Sequence, residues 1–117
     1  MARVAEVETG YYRVPLPEVL SDSTHGTMRA FELLTVRIRD ADGGEGVGYT
    51  YTVGRNGAAV AATLERDLAE VLSGQDADLI EALWQRMWWA TCAGPACASV
   101  LIFSGCLISV IVRCLLA

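Results

Sequence analysis

The chain contains no lysine: all nine of its basic residues are arginine. That absence excludes a Schiff-base lysine, a P-loop lysine and a lysine general base within these 117 residues. Positive charge is also scarce relative to negative. Fourteen acidic residues, all before Ala82, give a formal net charge of -5 and leave no basic stripe that could neutralise the phosphates of a nucleic acid. No uninterrupted hydrophobic run opens the chain, because Arg3, Glu6 and Glu8 break it, which argues against a secretory signal. Cysteine is missing from the first 91 residues, and Cys92, Cys97, Cys106 and Cys114 lack the close pairing of a zinc ribbon or a redox dithiol. Beyond Arg86 the only charged side chain is Arg113. The length suits one domain with a modest core.

What is present reads first as strands. From residue 4 to 16, Val4, Val7, Tyr11, Tyr12, Val14 and Leu16 favour a β-strand whose alternation slips near Gly10, so a bulge or bend is expected there. Pro15 and Pro17 are expected to end it by removing backbone donors, and SDSTHGT at 21–27 reads as a polar turn-forming loop. In RAFELLTVRIR at 29–39, Leu34, Val36 and Ile38 share one face while Thr35, Arg37 and Arg39 share the other, the period of a half-buried strand. DADGGEG at 40–46 supplies a turn, after which Val47, Tyr49 and Tyr51 resume the alternation. A three-stranded antiparallel meander follows.

After Gly54-Arg55-Asn56-Gly57 the period changes. Val60, Leu64, Leu68 and Val71 recur at three or four residues, with Glu65, Arg66, Asp67 and Glu70 between them, which predicts an amphipathic helix. Ser73-Gly74 closes it, and Asp76 or Asp78 can cap a second helix whose Leu79, Ile80, Leu83, Trp84, Met87 and Trp88 make a broad apolar face. The segment 96–112 carries no charge, and a third helix is expected from about Pro95. The fold class is therefore α+β: a three-stranded meander followed by a bundle of about three helices.

The order of these elements resembles the N-terminal capping domain of the enolase superfamily, in the mandelate racemase and muconate lactonizing enzyme group. The resemblance is carried by YYRVPLP at 11–17, SDSTHG at 21–26, LLTVRIRDADGGEGVGYTYT at 33–52 and LWQRMWWA at 83–90. It divides the chain into a capping domain at 1–90 and an atypical apolar tail at 91–117. Family members usually continue past the WWA segment through a Gly/Arg-rich loop into a catalytic barrel, whereas this chain reads TCAGPACASVLIFSGCLISVIVRCLLA. The abrupt loss of charge predicts a truncated cap with an out-of-frame or prematurely ended tail.

The resemblance implies a two-domain enzyme in which a base abstracts the proton α to a substrate carboxylate and Mg²⁺, held by barrel carboxylates, stabilises the enediolate. No metal is expected on this chain, which should be inactive alone. The cap's share is substrate selection by the loop after the first strand and the loop ending the third, which cover the barrel and exclude water. On this sequence those loops are 21–27 and 49–56, and Asp22, His25, Tyr49 and Tyr51 are the candidate substrate-facing residues, suited to a polyhydroxylated acid. Simpler readings stand beside these. Tyr49 and Tyr51 could be core residues with satisfied hydroxyls, His25 a solvated turn residue, and the Trp84, Trp88 and Trp89 cluster plain packing.

The implied partners are a carboxylate substrate of the acid-sugar class and a barrel domain or another copy of the chain; nucleic acid is not among them. The implied location is cytoplasmic, in a dehydratase or racemase relative. A different class of protein, a small tail-anchored membrane protein with an α+β head, takes 96–117 as a short span, but Arg113 inside that run counts against it.

Overall fold

The computed structural model describes residues 2–92. Three strands, β1 (Val4–Asp22), β2 (Gly26–Asp40) and β3 (Glu45–Thr52), form an antiparallel sheet in the order β1-β2-β3. A helical layer follows: α1 (Gly57–Ala62), a π-helical stretch (Thr63–Leu68), α2 (Ala69–Leu72) and α3 (Ile80–Cys92). The meander and both amphipathic helical segments match the α+β expectation. The proposed third helix, the tail and its span-like segment lie outside the described residues, and among the described residues no helix is long and apolar enough to cross a membrane.

Strand β1 departs from its expected form twice. It continues past Pro15 and Pro17 to Asp22, with a register shift between Pro15 and Leu20. An edge strand tolerates this, since a proline there need only lack a ladder partner. Near Gly10 there is no bulge: Gly10 pairs in register with Thr35. Glycine leaves room there for the neighbouring side chains, since a Cβ would lie 2.5 Å from Thr35 Oγ1 and 2.6 Å from the Tyr12 ring and one of them would have to move.

Register fixes which face is which. Val7, Thr9 and Tyr11 of β1 pair with Ile38, Val36 and Leu34 of β2, which pair with Gly46, Gly48 and Thr50 of β3. This face meets the helices, and Leu34, Val36 and Ile38 are buried in it. Tyr49 and Tyr51 are therefore not core residues. They alternate with Gly48 and Thr50 and are 66% and 59% exposed, because the small residues of β3 take the inward positions and leave space for the bulkier side chains of β2 and the helices.

The helical layer is seated by Val60, Leu64, Leu68 and Leu72, spaced by four and at most 5% exposed. In a straight α-helix such a series drifts by about 40° per step. The π-helical turn, in which the Ala69 N–H donates to the Leu64 carbonyl, takes up that drift and keeps all four side chains on the sheet. It also explains a correction: Leu72, rather than the expected Val71, is the fully buried residue of the last turn. Each buried leucine stabilises the fold by about 1.5–3 kcal/mol. From α3, Leu83 and Met87 enter the same core, whereas Leu79 and Trp84 stay exposed and Trp84 stacks on Trp88 with ring centroids 5.4 Å apart.

The connection before α3 sews the layers together. Val4 N–H donates to the Gln75 carbonyl at 2.8 Å, Gly74 N–H to the Val4 carbonyl at 2.9 Å and Ala77 N–H to the Ala2 carbonyl at 2.8 Å. As the sequence anticipated, the helix before it stops at Ser73, and Gly74 follows with φ 74°.

Candidate functional site

The β1–β2 hairpin outruns β3. The last pair joining β2 to β3 is Glu32 with Thr52, whereas β1 and β2 continue together to Asp22 and Gly26. Six residues of strand, about 20 Å at 3.3 Å each, therefore carry the hairpin tip beyond the sheet. Asp22 and His25 sit at that tip and hold each other. Asp22 Oδ1 accepts from the Thr24 N–H at 2.8 Å and the His25 N–H at 2.5 Å, and Oδ2 lies 2.8 Å from His25 Nδ1. The backbone amide of His25, then its ring, then the Thr24 amide hold the Asp22 carboxyl below its ordinary range. Both side chains remain nearly half exposed, so the pair presents an ionised carboxylate and an oriented imidazole to whatever faces the tip.

The segment that leaves β3 lies at the same end of the sheet. It turns through Gly54 and Asn56, both at positive φ, and passes so close to β2 that a Cβ on Gly54 would be 2.9 Å from the Ala30 carbonyl. Exposed Arg55 is carried on this turn. Ala30 is about 13 Å of strand from Gly26. Residues 53–56 and the hairpin tip therefore flank one end of the domain.

Beneath that turn lies Glu32, the one charged side chain in the buried set among the described residues, at 7% exposure. Its Oε2 accepts from Thr52 Oγ1 at 2.9 Å and from the Gly57 N–H at 2.5 Å, and the Tyr11 hydroxyl also donates to it. Burial pushes the Glu32 carboxyl upward, but hydrogen bonds from Thr52, Tyr11 and Gly57, with the charge of Arg13, outweigh it and leave the group below its ordinary value. The same bond raises Tyr11 above the usual phenol range. Gly57 opens α1, so Glu32 supplies negative charge at a helix N-terminus from a neighbouring strand.

Tyr49 and Tyr51 are elsewhere. They pair with Thr35 and Leu33 on the outer face of the sheet, and Tyr51 stacks on Phe31 at 5.5 Å. About 23 Å of β2 separates Leu33 from Gly26. The structure thus brings Asp22 and His25 together and leaves the two tyrosines apart from them. Toward the opposite end of this outer face, Arg39 bonds Glu45 at 2.7 Å and Glu6 at 2.8 Å, with Arg37 and Glu8 nearby. These pairs are solvent-exposed and contribute little to stability.

Among the described residues no group of three or more His, Cys, Asp or Glu side chains is placed to hold a metal ion. The tip offers one carboxylate and one imidazole already engaged with each other, a donor set too small for the oxygen-rich shell of Mg²⁺. A hollow of about 210 Å³ on the outer face, lined by Glu8, Gly10, Tyr12, Thr35, Arg37 and Val47, does not include the tip.

Glu32 and Arg55 were not among the sequence candidates. The signal for Glu32 was present, since the alternation of Leu34, Val36 and Ile38, carried backward, places a glutamate at an inward position. Arg55 had a weaker one, a cation enclosed by Gly54 and Gly57 in a turn.

Comparison with known proteins gives a consistent result. The family model described as "Mandelate racemase / muconate lactonizing enzyme, N-terminal domain" matches residues 6–101. The chain is 57% identical over 86 residues to a 3,6-anhydro-alpha-L-galactonate cycloisomerase of Streptomyces coelicolor, covering 74% of this chain and 24% of that protein. Its structure is similar to a racemase from Streptomyces coelicolor A3(2) with bound magnesium, with a TM-score of 0.85 and 48% identity over 96% of this chain and 30% of that one. It is also similar to the L-talarate/galactarate dehydratase from Salmonella typhimurium LT2 liganded with Mg and L-lyxarohydroxamate, with a TM-score of 0.71 and 25% identity over 79% of this chain and 25% of the other. The chain spans about a quarter of the length of the curated relative it matches.

Proposed function

This chain belongs to the mandelate racemase and muconate lactonizing enzyme family by way of its N-terminal domain, and we propose that it acts as the cap of a magnesium-dependent enzyme that abstracts a proton α to the carboxylate of an acid sugar. The cycloisomerase and dehydratase relatives support an acid-sugar substrate. The metal and the base belong to the barrel in this reading, because the residues described here form no Mg²⁺ shell and the chain has no lysine. The cap alone therefore does not turn over substrate.

The observation that carries the proposal is the projecting tip with its hydrogen-bonded Asp22–His25 pair. A tip of this reach can close over a barrel mouth while the sheet stays outside it. Once water is excluded, Asp22 accepts from substrate hydroxyls and orients the His25 ring, which in turn bonds the sugar. Tyr49 and Tyr51 are assigned no part in that contact, since they lie a strand length away on the outer face.

Replacing the N-terminal domain of the Streptomyces cycloisomerase by residues 1–92 of this chain tests the reading. The expected chimera turns over 3,6-anhydro-L-galactonate. His25→Ala then raises KM roughly tenfold with little change in kcat, the size of one lost hydrogen bond, while Tyr49→Phe changes neither. A folded chimera without activity, or one indifferent to His25, would refute it.

A further inference from the structure

We infer that Glu32 is a positioning residue, a buried latch that fastens the 53–56 turn to the β1–β2 hairpin so that the turn and the tip share one rigid frame. Glu32 belongs to the hairpin through β2, and one of its oxygens collects Thr52 Oγ1–H from the end of β3 and the Gly57 N–H from the start of α1. These two donors bracket the turn. The third, the Tyr11 hydroxyl, comes from β1 on the other side. All the strands and the first helix thus converge on one carboxylate at the place where the chain leaves the sheet.

The surroundings are cut to fit this group. A Cβ on Gly57 would lie 2.0 Å from Glu32 Oε2 and 2.8 Å from the Tyr11 ring, so the approach of helix to carboxylate requires glycine. A buried carboxylate without donors would be strongly unfavourable, and here three donors of three different elements satisfy it. Asn56, immediately before, is in the left-handed region at φ 66°, a conformation disfavoured for most side chains that bonds on both sides of the turn help to fix. The inference rests on the capping reading for its functional value, because a fixed turn matters to substrate only if this end of the domain covers a site. The latch itself can be read without any substrate.

The test is amide exchange and the NMR spectrum of the full chain, comparing wild type with Glu32→Gln. The Gly57 amide proton, bonded to a carboxylate, is expected downfield in the wild type and upfield in E32Q. Exchange over residues 53–58 should accelerate about tenfold while the Leu83 and Met87 amides stay within about twofold, the mark of local opening. An unmoved Gly57 resonance, or equal acceleration in α3, would overturn the latch. Should E32Q fail to fold, Thr52→Val decides the matter, since it removes one donor and leaves the charge. Exchange over 53–58 then rises about threefold with α3 unchanged, and no local rise would overturn the proposal. None of these outcomes bears on whether a barrel acts on acid sugars, so the two readings fail separately.

Discussion

The Asp22 carboxylate grips His25 at two points, its backbone amide at 2.5 Å and its ring Nδ1 at 2.8 Å, so a single side chain shapes the hairpin tip and aims the only imidazole in the chain. Turn formation and presentation of a functional group are one interaction here.

Asp22→Ala should uncouple the tip without unfolding the domain. Both groups are open to solvent, so the thermal midpoint is expected to stay put while the Thr24 and His25 amides exchange faster. Amide exchange by NMR at constant pH measures this.

Leu68→Ala should be among the most damaging single changes. Leu68 is fully buried in the π-helical stretch between helix and sheet. Removing its side chain leaves a cavity that the wide turn is poorly able to close, and a loss of about 2–5 kcal/mol is expected in urea unfolding.

Gly57→Ala should destabilise by about 1–3 kcal/mol, the usual range for forcing extra volume into a packed site. A methyl is small, but the atoms it meets are the Glu32 carboxylate and the Tyr11 ring. Ala58→Gly, an exposed exchange in the same helical turn, is the control, and the comparison distinguishes a clash from helix propensity.

Acid should weaken the domain through Glu32. Its folded pKa lies below the unfolded value of 4.5, so its contribution is fully present above that pH and is lost as pH falls through the lower folded value. The groups facing it, the Tyr11 hydroxyl, Arg13, Thr52 and the Gly57 amide, all favour the charged form. Urea midpoints between pH 6 and pH 3 should therefore fall less steeply in Glu32→Gln. Asp22 and Glu45 are also lowered by their own partners, but both are solvent-exposed and add little to that slope.

Much of this architecture was legible in residue order. The alternation of Leu34, Val36 and Ile38 marked the central strand, DADGG its turn, and Ser73-Gly74 the end of the first helical run. The family resemblance followed from the same segments. Which face of β3 is buried was not legible, because alternation separates Gly48 from Tyr49 without saying which side meets the helices; the packing of β2 against Leu64 and Leu68 decides that. The prolines of β1 misled because their effect depends on whether a strand has one neighbour or two. Of the candidate site, the Asp22–His25 pairing lay within one short turn and could be read locally, whereas Glu32 joins residues 20 and 25 positions away. A fourfold spacing of apolar residues gave the helix but not the π turn that keeps that spacing facing the sheet.

The stitching of Arg3 and Val4 to Gly74 and Gln75 also sets the order in which the molecule can be made. Both hairpins join neighbours in sequence and can close early, but this seam joins residues 71 apart. Closing a ring of that length in a flexible chain costs about 4 kcal/mol of entropy on a logarithmic scale. The first residues thus act as a clasp fastened after the strands and helices have brought their ends together. Removal of those few residues should leave a sheet that still forms and a helical layer that docks on it at a similar rate but comes away faster.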